Sequence, residues 1–172
     1  MAEDRPEISS ALLRSLFAYW DSRRHSRPFP RRSEIDPTDI PRLLPHVFLI
    51  TVERENGLRF LVRLAGTYVE AAFQQFTTGR YIEQIKLDGE TDDILTRYRE
   101  CVETGRPVLS RHIFVNEDHR KFDYQRLLLP LAVEDDAHVD MIFGGICFAA
   151  PLPTPPVVSG ATRPSMERRA YA

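Results

Sequence analysis

The chain has 172 residues, 28% of them charged, and a formal net charge of −2. Of its 13 prolines, five fall between Pro28 and Pro45, five between Pro151 and Pro164, and only Pro107 and Pro130 lie between His46 and Ala150. Proline breaks ladders and helices, so residues 46–150 read as one core close to the modal domain size, and two full domains are excluded.

In chain order, residues 1–9 are expected to be a flexible N-terminus. Residues 10–22 then form an amphipathic helix, with Leu12, Leu13, Leu16, Phe17 and Trp20 on one face and Ser9 or Ser10 as the cap. That stripe is too large to leave in water, so the helix must lie on the core or on a second copy of the chain. Leu12, Leu16, Phe17 and Trp20 are therefore candidate interface residues of a homodimer. The run Arg23, Arg24, His25, Arg27, Arg31 and Arg32 has no intervening acid; it is either a solvated loop or a contact for an anion or acidic partner. The proline-rich segment 28–45 carries Ile35, Ile40, Leu43 and Leu44, so it should pack on the domain as short turns.

Strands follow at 47–52 and 60–65, joined by a turn whose Asn56-Gly57 pair marks a tight hairpin. Periodicity predicts a short helix over 67–76, with Val69, Ala72, Phe73 and Phe76 on one side, and another helical piece at Tyr81 to Ile85. Residues 91–104 form the clearest core helix, with acids at its start and Gly105 then Pro107 at its end. Three further strands are expected at 108–115, 122–131 and 139–148, and a disordered tail over 151–172. The resulting class is α+β: a five-stranded antiparallel sheet with a helical crossover between the second and third strands, preceded by the N-terminal helix.

Several short strings now carry a resemblance. They are Tyr19-Trp20, Asp36-Pro37-Thr38-Asp39-Ile40-Pro41 with Leu43-Leu44-Pro45, Arg63-Leu64-Ala65-Gly66-Thr67, Thr78-Gly79-Arg80, and Glu103-Thr104-Gly105-Arg106-Pro107-Val108. Together, over residues 10–150, the chain resembles the PAS superfamily, and within it the small stand-alone bacterial PAS proteins. The resemblance implies a PAS-like fold enclosing a small-molecule pocket, used for sensing or protein contact. Flavin-photosensing relatives carry a cysteine early in the helices after the second strand; 67–85 has none, which argues against covalent flavin chemistry. Haem-sensing relatives carry a histidine on the long core helix; 91–104 has none, which argues against haem.

Candidate ligand-binding residues are Arg63, Phe73, Tyr98, His112, Tyr124, Arg126 and Phe143. Arg63 stands in an otherwise apolar strand, so its guanidinium should be partly buried and paired, with a ligand anion or with Asp36 or Asp39. Tyr124 and Arg126 share a strand face, Ser110, His112 and Phe114 share another, and a turn near Asp118-His119 sets His112 opposite Gln125 or Arg126. A His-Arg-Tyr group there either coordinates an anion or is outer surface. A pocket filled by Phe73, Tyr98 and Phe143 would instead favour a scaffold.

Other classes fit poorly. His112, His119, His138 and Asp140 match no metal-ligand spacing, and Cys101 and Cys147 are too few for a disulfide framework. No catalytic motif occurs, and Gly144-Gly145 reads as a close backbone approach or a bulge rather than a phosphate loop. Residues 46–150 carry 12 basic and 17 acidic side chains, the wrong balance for nucleic acid. No apolar run spans a membrane and no secretory signal opens the chain, so cytoplasm is the default. The expected function is a non-catalytic sensory or regulatory module for a small ligand or a signalling partner, with no effector segment after Ala150. The alternative, a cone-shaped α+β enzyme or carrier for a hydrophobic substrate, is opposed by two strands before the helices and three after.

Overall fold

Ser10 opens the first helix, α1 (Ala11–Arg24), by accepting the Leu13 N–H at 3.3 Å, and Arg23 and Arg24 complement the dipole in its last turn. The structure is a computed structural model that describes residues 6–87, 90–115 and 118–150; the expected tail 151–172 and residues 1–5 lie outside it. After α1, prolines restrict the chain to three single 3-10 turns, Arg32–Glu34, Pro37–Asp39 and Leu44–His46. Asp36 caps the second by accepting from Thr38, and Ile35 and Ile40 are buried, so the segment packs on the domain as expected.

The sheet contains β1 (Val47–Glu53), β2 (Arg59–Ala65), β3 (Val108–Val115), β4 (Lys121–Leu131) and β5 (Met141–Phe148), in the spatial order β2-β1-β5-β4-β3. Every neighbouring pair is antiparallel. Between β2 and β3 come α2 (Thr67–Phe73), a 3-10 turn at Ile82–Gln84, and α3 (Thr91–Thr104). The expected helix over 67–76 stops early because Gln74 turns left-handed at φ 52° and its N–H returns to Glu70 and Ala71. Phe76 therefore leaves the helix face and is 68% exposed. The β1–β2 connection is also longer than a two-residue hairpin, since Glu53 pairs with Arg59.

The outer edge of β2 is partly covered. Along β2, the Val62 N–H donates to Arg80 O at 2.9 Å and Gly79 N–H to Val62 O at 2.7 Å, so residues 79–81 run beside the strand. Where β3 ends, the lead-in takes its place beside β4: Ala132 N–H donates to Pro30 O and Arg32 N–H to Ala132 O.

One sheet face meets α2 and α3; the other meets α1. Gly145 makes the approach of α1 close, and Gly144 makes room on the opposite face for Phe48. A Cβ at Gly144 would stand 2.2 Å from Phe48 Cζ and 2.6 Å from Leu127 O, and one at Gly145 would stand 2.6 Å from Leu16 Cδ2. On the α1 side Leu13, Leu16 and Trp20 are buried, and Trp20 Nε1 donates to Pro130 O at 2.9 Å.

Candidate functional site in the domain interior

Strand alternation sends Ser110 and His112 of β3, Tyr124 and Arg126 of β4, and Phe48 of β1 to the face covered by α2 and α3. Arg126 is only 3% exposed. Its Nη2 donates to the Tyr124 hydroxyl at 3.3 Å, while Nε and Nη1 have no hydrogen-bond partner. The rings of Phe48, Tyr98 and Tyr124 surround its Cζ at 6.0, 5.8 and 5.7 Å.

His112 is buried beside this group. Its Nε2 lies 2.7 Å from Ser110 Oγ, and its Nδ1 lies 3.1 Å from Glu90 Oε2 and 3.6 Å from Asp93 Oδ2. Burial first, and the Arg126 charge second, bring its pKa down to about 4, so the ring is neutral at pH 7. Nδ1 then carries the proton towards the carboxylates and Nε2 accepts from Ser110. Burial pushes the Tyr98 phenol up to about 12 and raises that of Tyr124 as well, so both stay neutral. Arg126 is the fully buried charge here, and the partly exposed carboxylates of Glu90 and Asp93 lie on the far side of His112.

Arg126 forms part of the wall of an interior cavity of about 30 Å³, together with Phe48, Ile50, Val62, Phe73, Thr77, Ile82, Tyr98 and Ile146. Thr77 is 4% exposed and its hydroxyl is also without a partner. The cavity is thus an almost wholly apolar chamber, with Arg126 and Thr77 among the residues of its wall, large enough for about two waters.

A family model described as a PAS domain matches residues 8–147. The chain belongs to the PAS domain family. Among solved structures, this PAS domain is similar to a light-oxygen-voltage domain studied with a flavin analogue, at 13% identity and a TM-score of 0.51, covering 66% of this chain and 83% of that one. It is also similar to a light-oxygen-voltage protein of Rhodobacter sphaeroides (14%, TM-score 0.48, 67% and 69%). A PAS domain from Colwellia psychrerythraea gives 10% and a TM-score of 0.45, covering 62% and 92%. At such identities the likeness shows the fold alone. No curated protein matches the chain.

The interior of this PAS domain does not fit a flavin or a haem. A chamber of about 30 Å³ is an order of magnitude below what a ring cofactor occupies, because Phe73 and Tyr98 fill the space between sheet and helices. The cysteines stand elsewhere, Cys101 fully buried on α3 and Cys147 half-buried on β5.

Of the residues singled out from sequence, Phe73, Tyr98, His112, Tyr124 and Arg126 come together; Phe143 and Arg63 do not. Phe143 pairs with Leu49 and Leu129 and faces away from the cavity, in a surface groove beside Ile35, Pro37 and Ile40. Arg63 is exposed rather than buried, because the register between β1 and β2 slips there: Leu49 pairs with Leu64 but Ile50 with Val62. The bulge ejects Arg63 from the alternation. Its expected partners serve other groups, Asp39 bonding Arg23 at 2.7 Å and Asp36 bonding Thr38. His112 pairs with Tyr124 rather than with Gln125 or Arg126, and Ser110 pairs with Arg126, which unites the two polar groups on one face. Leu16 and Trp20 are buried on the chain's own sheet, so neither is open to a second subunit, while Leu12 and Phe17 are half-buried.

Sequence reasoning missed Thr77. It follows Phe76 in a segment with no periodicity, and only the turn at Thr78-Gly79-Arg80 hinted at a constrained backbone there. The arginine run, bare of acids locally, meets them in space. Arg27 pairs with Glu34, Arg31 with Asp136 at 3.0 Å and Arg24 with Asp21 at 2.6 Å.

Proposed function

We propose that this PAS domain is a non-catalytic sensory module that takes a small ligand into the interior cavity and reports its presence to a protein partner or a second copy of the chain. The observation that carries this reading is the cavity itself: two buried polar side chains, Arg126 and Thr77, have hydrogen-bonding atoms that no described protein group satisfies. Buried polar atoms are costly when unpaired, so a molecule that pairs with them is favoured there. The polar chain from Ser110 through His112 to Glu90 and Asp93 supports the reporting half, because it joins the buried sheet face to the start of α3.

Native mass spectrometry of gently purified protein tests the ligand. A bound metabolite that leaves on mild activation is the expected result; mass matching the bare chain under every condition, with no thermal shift in a metabolite screen, would falsify ligand sensing. A second reading, a ligand-free scaffold for protein contact, is supported by the close filling of the interior by Phe73 and Tyr98. It predicts partner capture unaffected by substitutions at Arg126.

A further inference from the structure

We propose that the outer edge of β3 is a self-pairing surface for a second copy of this chain, held shut by the side chain of Glu90. Nothing in this arrangement depends on a ligand in the interior.

β3 stands last in the sheet, so one of its two edges has no neighbouring strand. Alternation decides which groups point there. The Ile113 N–H donates to Glu90 Oε1 at 3.0 Å, away from β4. Asp123, opposite Ile113 in the ladder, turns its carbonyl the other way to accept from the Ala149 N–H. Leu109, Arg111 and Val115 share the parity of Ile113, so their N–H and C=O groups also face outwards. Among the described residues, no backbone hydrogen bond outside the β3–β4 ladder reaches this strand. Such a row of free donors and acceptors is a template for another strand.

The side chains favour a copy of β3 itself. Those of the four outward-facing residues stand on the sheet face opposite His112, and α1 packs on β4 and β5 there, so Ile113 is 44% exposed. In an antiparallel pairing about a two-fold axis at His112, Leu109 of one copy stands opposite Val115 of the other, and Arg111 opposite Ile113. All four outward residues are then paired, and the aliphatic stem of Arg111 lies along the exposed Ile113. Moving the axis to Arg111 sets two guanidinium groups against each other and Val115 against Pro107, which has no N–H. Residues 79–81 already run beside the opposite edge of the sheet, so each copy offers one such edge and the pairing closes at two.

Glu90 sits across the middle of that edge. One carboxylate oxygen takes the Ile113 N–H that a partner strand needs, and the other lies 3.1 Å from His112 Nδ1. A charged side chain on an open edge is a means by which natural sheets stop strand addition. Glu90 immediately precedes α3, so a movement of the start of that helix is what lifts the guard.

The test uses the full chain carrying Leu12→Glu and Phe17→Glu, so that α1 does not contribute to association. Adding Glu90→Ala is expected to double the sedimenting mass with rising concentration in analytical ultracentrifugation. Arg111→Pro removes an outward N–H and none of the bonds to β4, so it should return the mass to that of the monomer. Amide hydrogen exchange supplies a matching readout: Leu109, Arg111 and Val115 should exchange fast in the guarded chain and about tenfold slower or more on association. A Glu90→Ala chain with native circular dichroism that stays monomeric at every concentration overturns the proposal, leaving the edge to another extended partner or to none. So does a dimer that Arg111→Pro does not break, because its contact lies elsewhere. If the substituted chain does not fold, exchange in the unsubstituted chain decides. Ile113 slower than Leu109 and Arg111 supports the guard, and equal rates overturn it.

Discussion

His112 Nδ1 lies 3.1 Å from Glu90 Oε2, a contact that joins the buried face of β3 to the residue preceding α3. Because burial, then Arg126, holds the His112 pKa at about 4 against the ordinary histidine value of 6.5, the folded state resists protonation that the unfolded chain accepts. The contribution to stability is complete above about pH 6.5 and is lost as pH falls towards 4. It amounts to roughly 3 kcal/mol at most. Urea titrations between pH 7 and 4 should show this loss, and His112→Gln should flatten it. Imidazole NMR supplies a second check: Arg126→Met should raise the His112 pKa by removing a neighbouring positive charge. An unchanged value would mean that desolvation acts alone.

Trp20 is the sole tryptophan and is 1% exposed, so its fluorescence should be blue-shifted in the native state and move red on unfolding. Trp20→Phe removes the donor to Pro130 O and leaves a smaller ring. A loss of about 2–4 kcal/mol is expected by circular dichroism in urea. A loss below 1 kcal/mol would show that the bond to Pro130 contributes little.

The two adjacent glycines should tolerate alanine unequally. At Gly145 the new methyl meets the ends of Leu16 and Leu13, which can shift; at Gly144 it meets the Leu127 carbonyl, which cannot. Gly144→Ala is therefore expected to cost more than Gly145→Ala, by about 1 kcal/mol or more. Denaturation midpoints at matched slopes measure the difference.

Arg63→Ala should change stability by less than about 0.5 kcal/mol, since the bulge holds the side chain in water. A homodimer built on α1 would have to use Leu12 and Phe17, the stripe residues that remain half-buried. Static light scattering at high concentration is expected to read twice the monomer mass, and Leu12→Glu with Phe17→Glu to halve it. A monomer at every concentration removes the dimer.

The elements with chemical punctuation were legible from sequence. The helix at 91–104 and the strand at 108–115 match residue for residue, because Asp92 and Asp93 open the one and Gly105 and Pro107 separate the two. Facing was not legible in β5. Its apolar residues line both sides of a sheet covered on both sides, so alternation around Phe143 says nothing about which side holds the cavity. The bulge that ejects Arg63 depends on the partner strand, and the joining of His112 to Tyr124 depends on a one-residue register that hairpin length alone did not fix. Arg126 and Tyr124 were recognisable as a polar pair in an apolar strand; their solitude inside the core was not.

Gly144 and Gly145 have a mechanical meaning as well as a steric one. Phe48 borders the cavity on one side of this dipeptide and Leu16 of α1 rests on the other, so a single thickness of backbone separates the chamber from the outer helix. No cushion of side chains exists there to absorb a displacement. A ligand that pushes on Phe48 therefore pushes on α1 with one peptide plane between them, and the thinnest part of the wall is where the interior can be felt from outside.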